Sequence, residues 1–166
     1  RSPGNVPHSP VMISSCSAIR SNRSTVGGYG MPYASCSRSN HPAPIPSSTR
    51  PPLIASTCAL LLQEGVRLVT LTGAGGSGKT RVALRVSADL AHEFDDGSYV
   101  VMLAPVRDAA HVSSAIAAAF DVQESGSRRL EDLIVTHLRD RSLLLTLDNF
   151  EHVITAGSFI AELLDG

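Results

Sequence analysis

The order of apolar runs along residues 66–165 predicts an α/β fold, a parallel sheet covered by helices. Three observations carry this. Short apolar runs fall at 66–72, 98–103 and 143–147, the first two rich in β-branched residues and each closed by Gly, Pro or Asp. Stretches with apolar residues at helical spacing separate them. The composition, 43 % apolar and 17 % charged over 166 residues, suits a globular core of about one domain.

The chain reads as two unlike parts. Residues 1–50 hold five Arg, no acid and a dozen Ser, and nine of the ten Pro lie at or before Pro52. Such a basic Ser/Pro-rich segment is expected to stay disordered, because it buries too little apolar surface to offset its entropy. Val11-Met12-Ile13 is too short for the apolar stretch of a secretory signal, and Ile13-Ser14-Ser15-Cys16 lacks the apolar stretch of a lipoprotein signal. No run approaches 18 apolar residues, so no helical membrane span is expected. Cys16, Cys36 and Cys58 are too widely spaced for a disulfide framework or a zinc site, and a cytoplasmic compartment is the default. With 4 % aromatics and no Trp, stacking platforms for single-stranded nucleic acid are not expected. The start at Arg1 and the stop at Gly166 suggest a fragment.

In the second part, the run over 66–72 reads as a buried strand leading into a glycine-rich stretch. A helix follows over 79–93, with Val82, Val86 and Leu90 stacked on one side. The second strand covers 98–103 and is closed by Pro105. Val112, Ala115, Ile116, Ala119 and Phe120 mark a helix over 111–120, and Leu130, Leu133, Ile134 and Leu138 mark a third. The third strand, 143–147, ends at Asp148, and Val153, Ala156, Ile160 and Leu164 line a final helix.

Gly73-Ala74-Gly75-Gly76-Ser77-Gly78-Lys79-Thr80 fits G-x-x-x-x-G-K-[ST], the phosphate-binding P-loop pattern. Glycines let successive N–H groups turn inward onto phosphate oxygens, and the following helix aims its N-terminal dipole at the same anion. Lys79 would reach the β- and γ-phosphates, and the Thr80 hydroxyl would ligate Mg²⁺. Lys79 is the only Lys beside thirteen Arg, kept where a compact ammonium suits phosphate. Two overlapping patterns compete. Gly73-x-Gly75-x-x-Gly78 also matches a dinucleotide fingerprint, but Glu93, Asp95 and Asp96 precede the second strand rather than end it. A nucleophile elbow fails because Lys79 stands where it needs Gly.

The second half of a P-loop site is an acid at the tip of another buried strand to hold Mg²⁺, and Asp148 supplies it. For hydrolysis, the Asn149 amide could orient water and Glu151 is the nearest carboxylate that could take its proton; Glu151 equally suits an exposed place in the first turn of the last helix. His152 and the other five His show no metal-ligand spacing, and Arg128, Arg129, Arg139 and Arg141 suit surface charges better than phosphate contacts.

Three stretches together resemble the nucleotide-binding module of STAND-class ATPases, the NB-ARC-like module of bacterial LuxR-type and SARP-type transcription regulators. They are residues 66–81, residues 101–108, and Leu143-Leu144-Leu145-Thr146-Leu147-Asp148-Asn149-Phe150-Glu151-His152-Val153, which looks like the family's Walker B segment. The resemblance covers 51–166 and implies a three-layer P-loop NTPase fold that binds ATP or ADP with Mg²⁺, switches neighbouring domains and hydrolyses slowly. On it, phosphate binding falls to Gly73, Gly75, Gly76, Ser77, Gly78, Lys79 and Thr80, and Mg²⁺ to Thr80 and Asp148. The family's Ile-Gly-Arg motif is absent, since Ile54 is followed by Ala55-Ser56. Its sensor strand, expected beyond Gly166, lies between the P-loop and Walker B strands. The chain is thus expected to lack the middle of its sheet, to be weakly stable and to turn over little or not at all. DNA binding would come through other domains. A small-molecule P-loop kinase is the alternative, favoured if the P-loop and Asp148 strands pair directly; a dinucleotide-binding module is the third reading.

Overall fold

A computed structural model describes residues 11–14, 51–124 and 126–165. Its sheet has four strands, β1 (Val11–Ser14), β2 (Leu68–Leu71), β3 (Gly97–Met102) and β4 (Leu143–Asp148), in the order β2-β1-β4-β3 with every pair parallel. The α/β expectation holds, and each of the three sequence-read strands is present within two residues of its expected bounds.

β1 departs from expectation. Val11–Ser14 comes from the segment read as unable to order, yet it pairs with β2 on one side and β4 on the other. It thereby fills the middle of the sheet, where the sequence predicts a gap. β2 and β4 each carry open ladder groups along one edge, and a short apolar triplet satisfies both at once. Other parts of 1–50, with Cys16 and Cys36, lie outside the described residues.

Helices cover both faces. On one, α1 (Pro52–Leu61) and α2 (Lys79–Leu90) bury Cys58, Leu61, Ala83, Val86 and Leu90 against Leu144. On the other, α3 (Val112–Ala119), α4 (Leu130–Leu138) and α5 (Gly157–Asp165) enclose a larger core around Ile116, Ile134, Leu145, Leu147 and Ile160. β4 divides its side chains by alternation: Leu143, Leu145 and Leu147 join the larger core, whereas Leu144, Thr146 and Asp148 meet the α2 layer.

α1 was not foreseen. Pro52 sits in its first turn, where a missing N–H costs nothing, and Leu61 and Cys58 turn inward a turn apart. The single final helix is also corrected. Residues Phe150–Ala156 form a 3₁₀ segment that breaks at Val153 (φ −121°, ψ 29°) before α5 begins. Val153, Ala156 and Ile160 are buried as the spacing requires.

Candidate functional site

In open α/β sheets, ligands bind beyond the carboxyl ends of the strands. Here β2 ends at Leu71 and β4 at Asp148, level with each other through Ser14 of β1. The glycine loop leaves β2 and turns directly into α2. Gly76 and Gly78 take φ of 76° and 88°, left-handed values that carry a side chain only with strain. Gly78 is the N-cap of α2, so the loop's last turn and the helix start share one residue.

Lys79 folds back across this loop. Its Nζ donates to the Gly73 carbonyl at 2.9 Å and the Ala74 carbonyl at 2.8 Å, with Ser77 Oγ at 3.4 Å. Thr80, one residue on, faces β4: its Oγ1 lies 3.1 and 3.0 Å from the two carboxylate oxygens of Asp148. A second tie joins the same helix and strand, Ser87 Oγ to Thr146 Oγ1 at 2.7 Å. Residues 80 and 87 are two turns apart on α2, and 148 and 146 share one face of β4. Helix and strand are thus held together at two points, with the outer one in the site.

These groups open on a cleft of about 210 Å³ lined by Gly76, Gly78, Lys79, Thr80, Arg81, Asp148, Asn149 and Glu151. That is below the roughly 300–1,000 Å³ of pockets that enclose a whole small molecule, so it suits the phosphate-and-cation end of a larger ligand. The donor set fits a hard divalent cation: a hydroxyl and a buried carboxylate within hydrogen-bond distance, and oxygen ligands are what Mg²⁺ takes. Glu151 adds a half-buried carboxylate whose Oε2 is shut from solvent and has no hydrogen-bond partner. Asn149 leaves β4 in the left-handed region (φ 63°, ψ 38°), which Asn tolerates better than most residues.

The structure therefore gathers Gly76, Gly78, Lys79, Thr80, Asp148, Asn149 and Glu151 around one cleft, with Gly73 and Ser77 behind it against Lys79. Gly75 lies on the exposed part of the loop. Glu151 stands in a 3₁₀ segment rather than the first turn of an α-helix. Sequence reasoning passed over Arg81 as a site residue; its place right after Thr80 in the opening turn of α2 was the available signal. Ala55 and Ser56 lie inside α1 and do not line the cleft. Arg128 donates to Thr136 Oγ1 at 3.2 Å and Arg129 lies 3.7 Å from Glu131; neither lines the cleft, nor do Arg139 and Arg141. Asp96 bonds the Ser142 N–H at 2.9 Å, at the opposite end of the strands from the cleft, where it could not meet a ribose held by the glycine loop. Among the described residues no group of three or more His, Cys, Asp or Glu could hold a metal, and no helix is long and apolar enough to cross a membrane.

Residues 63–165 match the family model described as "AAA domain". Two curated relatives bear the name "Putative HTH-type transcriptional regulator", one from Mycobacterium bovis and one from Mycobacterium tuberculosis; each is 38 % identical over 107 residues, 64 % of this chain. A second Mycobacterium tuberculosis relative, named "Uncharacterized protein", is 39 % identical over 98 residues, 59 % of this chain. The chain spans 12 % of the regulators' length and 25 % of the shorter relative. No solved structure matches it.

Proposed function

The chain belongs to the AAA-domain family of P-loop proteins, and from that premise we propose that it is an ATP/ADP-binding, Mg²⁺-dependent regulatory switch module of the STAND type. The observation that carries this is the meeting of Thr80 and Asp148 at 3.0 Å, beside the loop that Lys79 spans. On this reading the phosphate ligands and Thr80 follow the β2 end, Asp148 ends β4, and all of them line or adjoin one cleft. The names of the two HTH-type relatives support an output in transcription, supplied by neighbouring domains in the cytoplasm.

The roles follow from the residue chemistry. Phosphate oxygens would compete with the Gly73 and Ala74 carbonyls for the Lys79 ammonium, exchanging a neutral acceptor for a charged one. Gly73, Gly75, Gly76, Ser77 and Gly78 would present backbone N–H groups to the same anion. Thr80 and Asp148 would hold Mg²⁺, which when bound supplies positive charge against the phosphates. The Asn149 amide would orient a water molecule, and Glu151 would take its proton, giving slow hydrolysis. The kinase alternative loses support because β2 and β4 do not pair with each other; β1 separates them.

Titration with a fluorescent ATP analogue and Mg²⁺, with ADP, GTP and NAD as competitors, tests the proposal. Binding competed by ADP, and weakened about 30-fold or more in Lys79→Ala, is expected from losing a charge pair worth at least 2 kcal/mol. Failure of the folded chain to bind, or equal binding by Lys79→Ala, would sink the assignment. Preferential binding of NAD would return the dinucleotide reading.

A further inference from the structure

Glu151 reaches the cleft from a segment with little regularity of its own. Asn149 turns out of β4 in the left-handed region, and the 3₁₀ segment that carries Glu151 breaks two residues later at Val153. Where residue 151 sits must therefore be set by contacts from outside the segment. The one beside it is His152, whose Nε2 lies 2.9 Å from the carbonyl oxygen of Leu103. A carbonyl only accepts, so the ring donates and Nε2 carries the proton.

Leu103 is fully buried in the larger core, and its own N–H donates to the Asp148 carbonyl at 2.9 Å. The two bonds close a ring. One end of the excursion Asn149-Phe150-Glu151 is tied at Asp148 and the other at His152, both to the same buried residue. Phe150 packs into the larger core from inside the ring, 5 % exposed. Glu151 is the one member of the excursion between that anchor and the His152 tie, and it lines the cleft with Lys79, Thr80 and Asp148. The Glu151 carboxylate keeps an oxygen shut from water with no partner, an arrangement that costs free energy and that a slack segment would relieve by turning outward.

We propose that His152 is a positioning residue: its hydrogen bond to the Leu103 carbonyl holds the Glu151 carboxylate against the terminal-phosphate end of the cleft. This rests on the nucleotide reading given above. A carboxylate held there opposes the extra negative charge of a triphosphate more than that of a diphosphate. The ratio of ATP to ADP affinity therefore reports the position of Glu151 without requiring turnover.

The test is a set of Mg²⁺-ATP and Mg²⁺-ADP titrations on the full chain and on Glu151→Gln, His152→Ala, His152→Gln and the double variant Glu151→Gln/His152→Ala. Removing the charge should raise the ATP-to-ADP affinity ratio about three- to tenfold, the size of one screened charge contact. His152→Ala should raise it in the same direction, and should add nothing in the Glu151→Gln background. His152→Gln, whose side-chain amide can donate from near the position of Nε2, should return the ratio to the unmodified value. Nitrogen chemical shifts of the His152 ring in nucleotide-free protein should report the Nε2–H tautomer. Additive shifts in the double variant, equal weakening of ATP and ADP in His152→Ala, or an Nδ1–H ring would each overturn the proposal while leaving the cleft's reading intact. No nucleotide binding by the unmodified chain would overturn that reading and this role with it.

Discussion

The two halves of the sheet are held by different means. β3 and β4 share a six-residue ladder, every residue of β4 is buried, and one apolar cluster with α3, α4 and α5 backs them. β2 shares only four residues with β1, alternates between exposed and half-buried, and leans on the smaller cluster with α1 and α2. The candidate site draws on both. Asp148, Asn149 and Glu151 come from the firm half, while the glycine loop follows the thin one. α2 crosses between them, tied to β4 by Thr80–Asp148 and Ser87–Thr146. A firmly held candidate cation site beside a loosely anchored glycine loop is the arrangement in which a nucleotide, if it bridges the halves as proposed, would shift stability most where the chain is thinnest.

Core truncation should expose this difference most strongly. Leu145→Ala removes a side chain 1 % exposed and should cost about 4 kcal/mol in urea unfolding. Val69→Ala, on half-buried β2, should cost about 1 kcal/mol or less. Equal losses would erase the distinction between the halves. Next in size is Met12→Pro, which removes a ladder N–H from a strand with partners on both sides and should cost about 2 kcal/mol. Its mark should be uneven: amide exchange in β2 and the glycine loop should quicken more than in β4. An unchanged pattern would show that β1 does not couple the halves.

The firm half is also the half that the sequence announces. Leu143–Asp148 is an apolar run interrupted only by Thr146 and ending in an acid, and its partners on α3 and α4 repeat at helical spacing, so both fold and Asp148 could be read locally. The thin half could be read only where chemistry marks it, in the glycines and Lys79. β1 escaped because three apolar residues among Ser and Pro form a strand only when two other strands supply the ladder, and that slot is a long-range feature. α1 escaped because Pro51-Pro52 gives no helix signal until its place at a helix start is known. The His152–Leu103 bond joins residues 49 apart, beyond the reach of any spacing argument.

The α2–β4 ties allow the comparison to be sharpened. Thr146 is fully buried in mid-strand, and across the helix its hydroxyl meets Ser87 Oγ, which also bonds the Ala83 carbonyl. Ser87→Ala leaves the Thr146 hydroxyl without that partner and should cost about 1–2 kcal/mol. Ser87→Ala combined with Thr146→Val should cost less than the sum of the single changes, since the apolar pair strands no hydroxyl. Strict additivity in urea unfolding would mean that the tie carries no coupling between the thin and firm halves.

The smallest effect should come from pH, and within the firm half. His137 on α4 packs 6.2 Å, ring to ring, from Phe120, and its Nε2 is shut from solvent without a hydrogen-bond partner. Burial lowers its pKa below the ordinary 6.5, and the Arg141 guanidinium acts in the same direction. The folded chain therefore resists a proton that the unfolded chain accepts. Stability from this residue is full above 6.5 and declines as pH falls below it, until the folded ring protonates as well. Glu131, six residues earlier on the helix, titrates elsewhere: a backbone hydrogen bond first, then Ser113 and Arg129, hold its carboxyl below 4.5 against the opposing effect of burial, so its contribution is lost only in more acid solution. His137→Leu should flatten the decline of the urea midpoint between about pH 7 and 5.5 while leaving the steeper fall below pH 4.5 unchanged. Parallel midpoint curves for the two proteins across that window would show that His137 is as easily protonated folded as unfolded, and that the firm half carries no titrating weak point there.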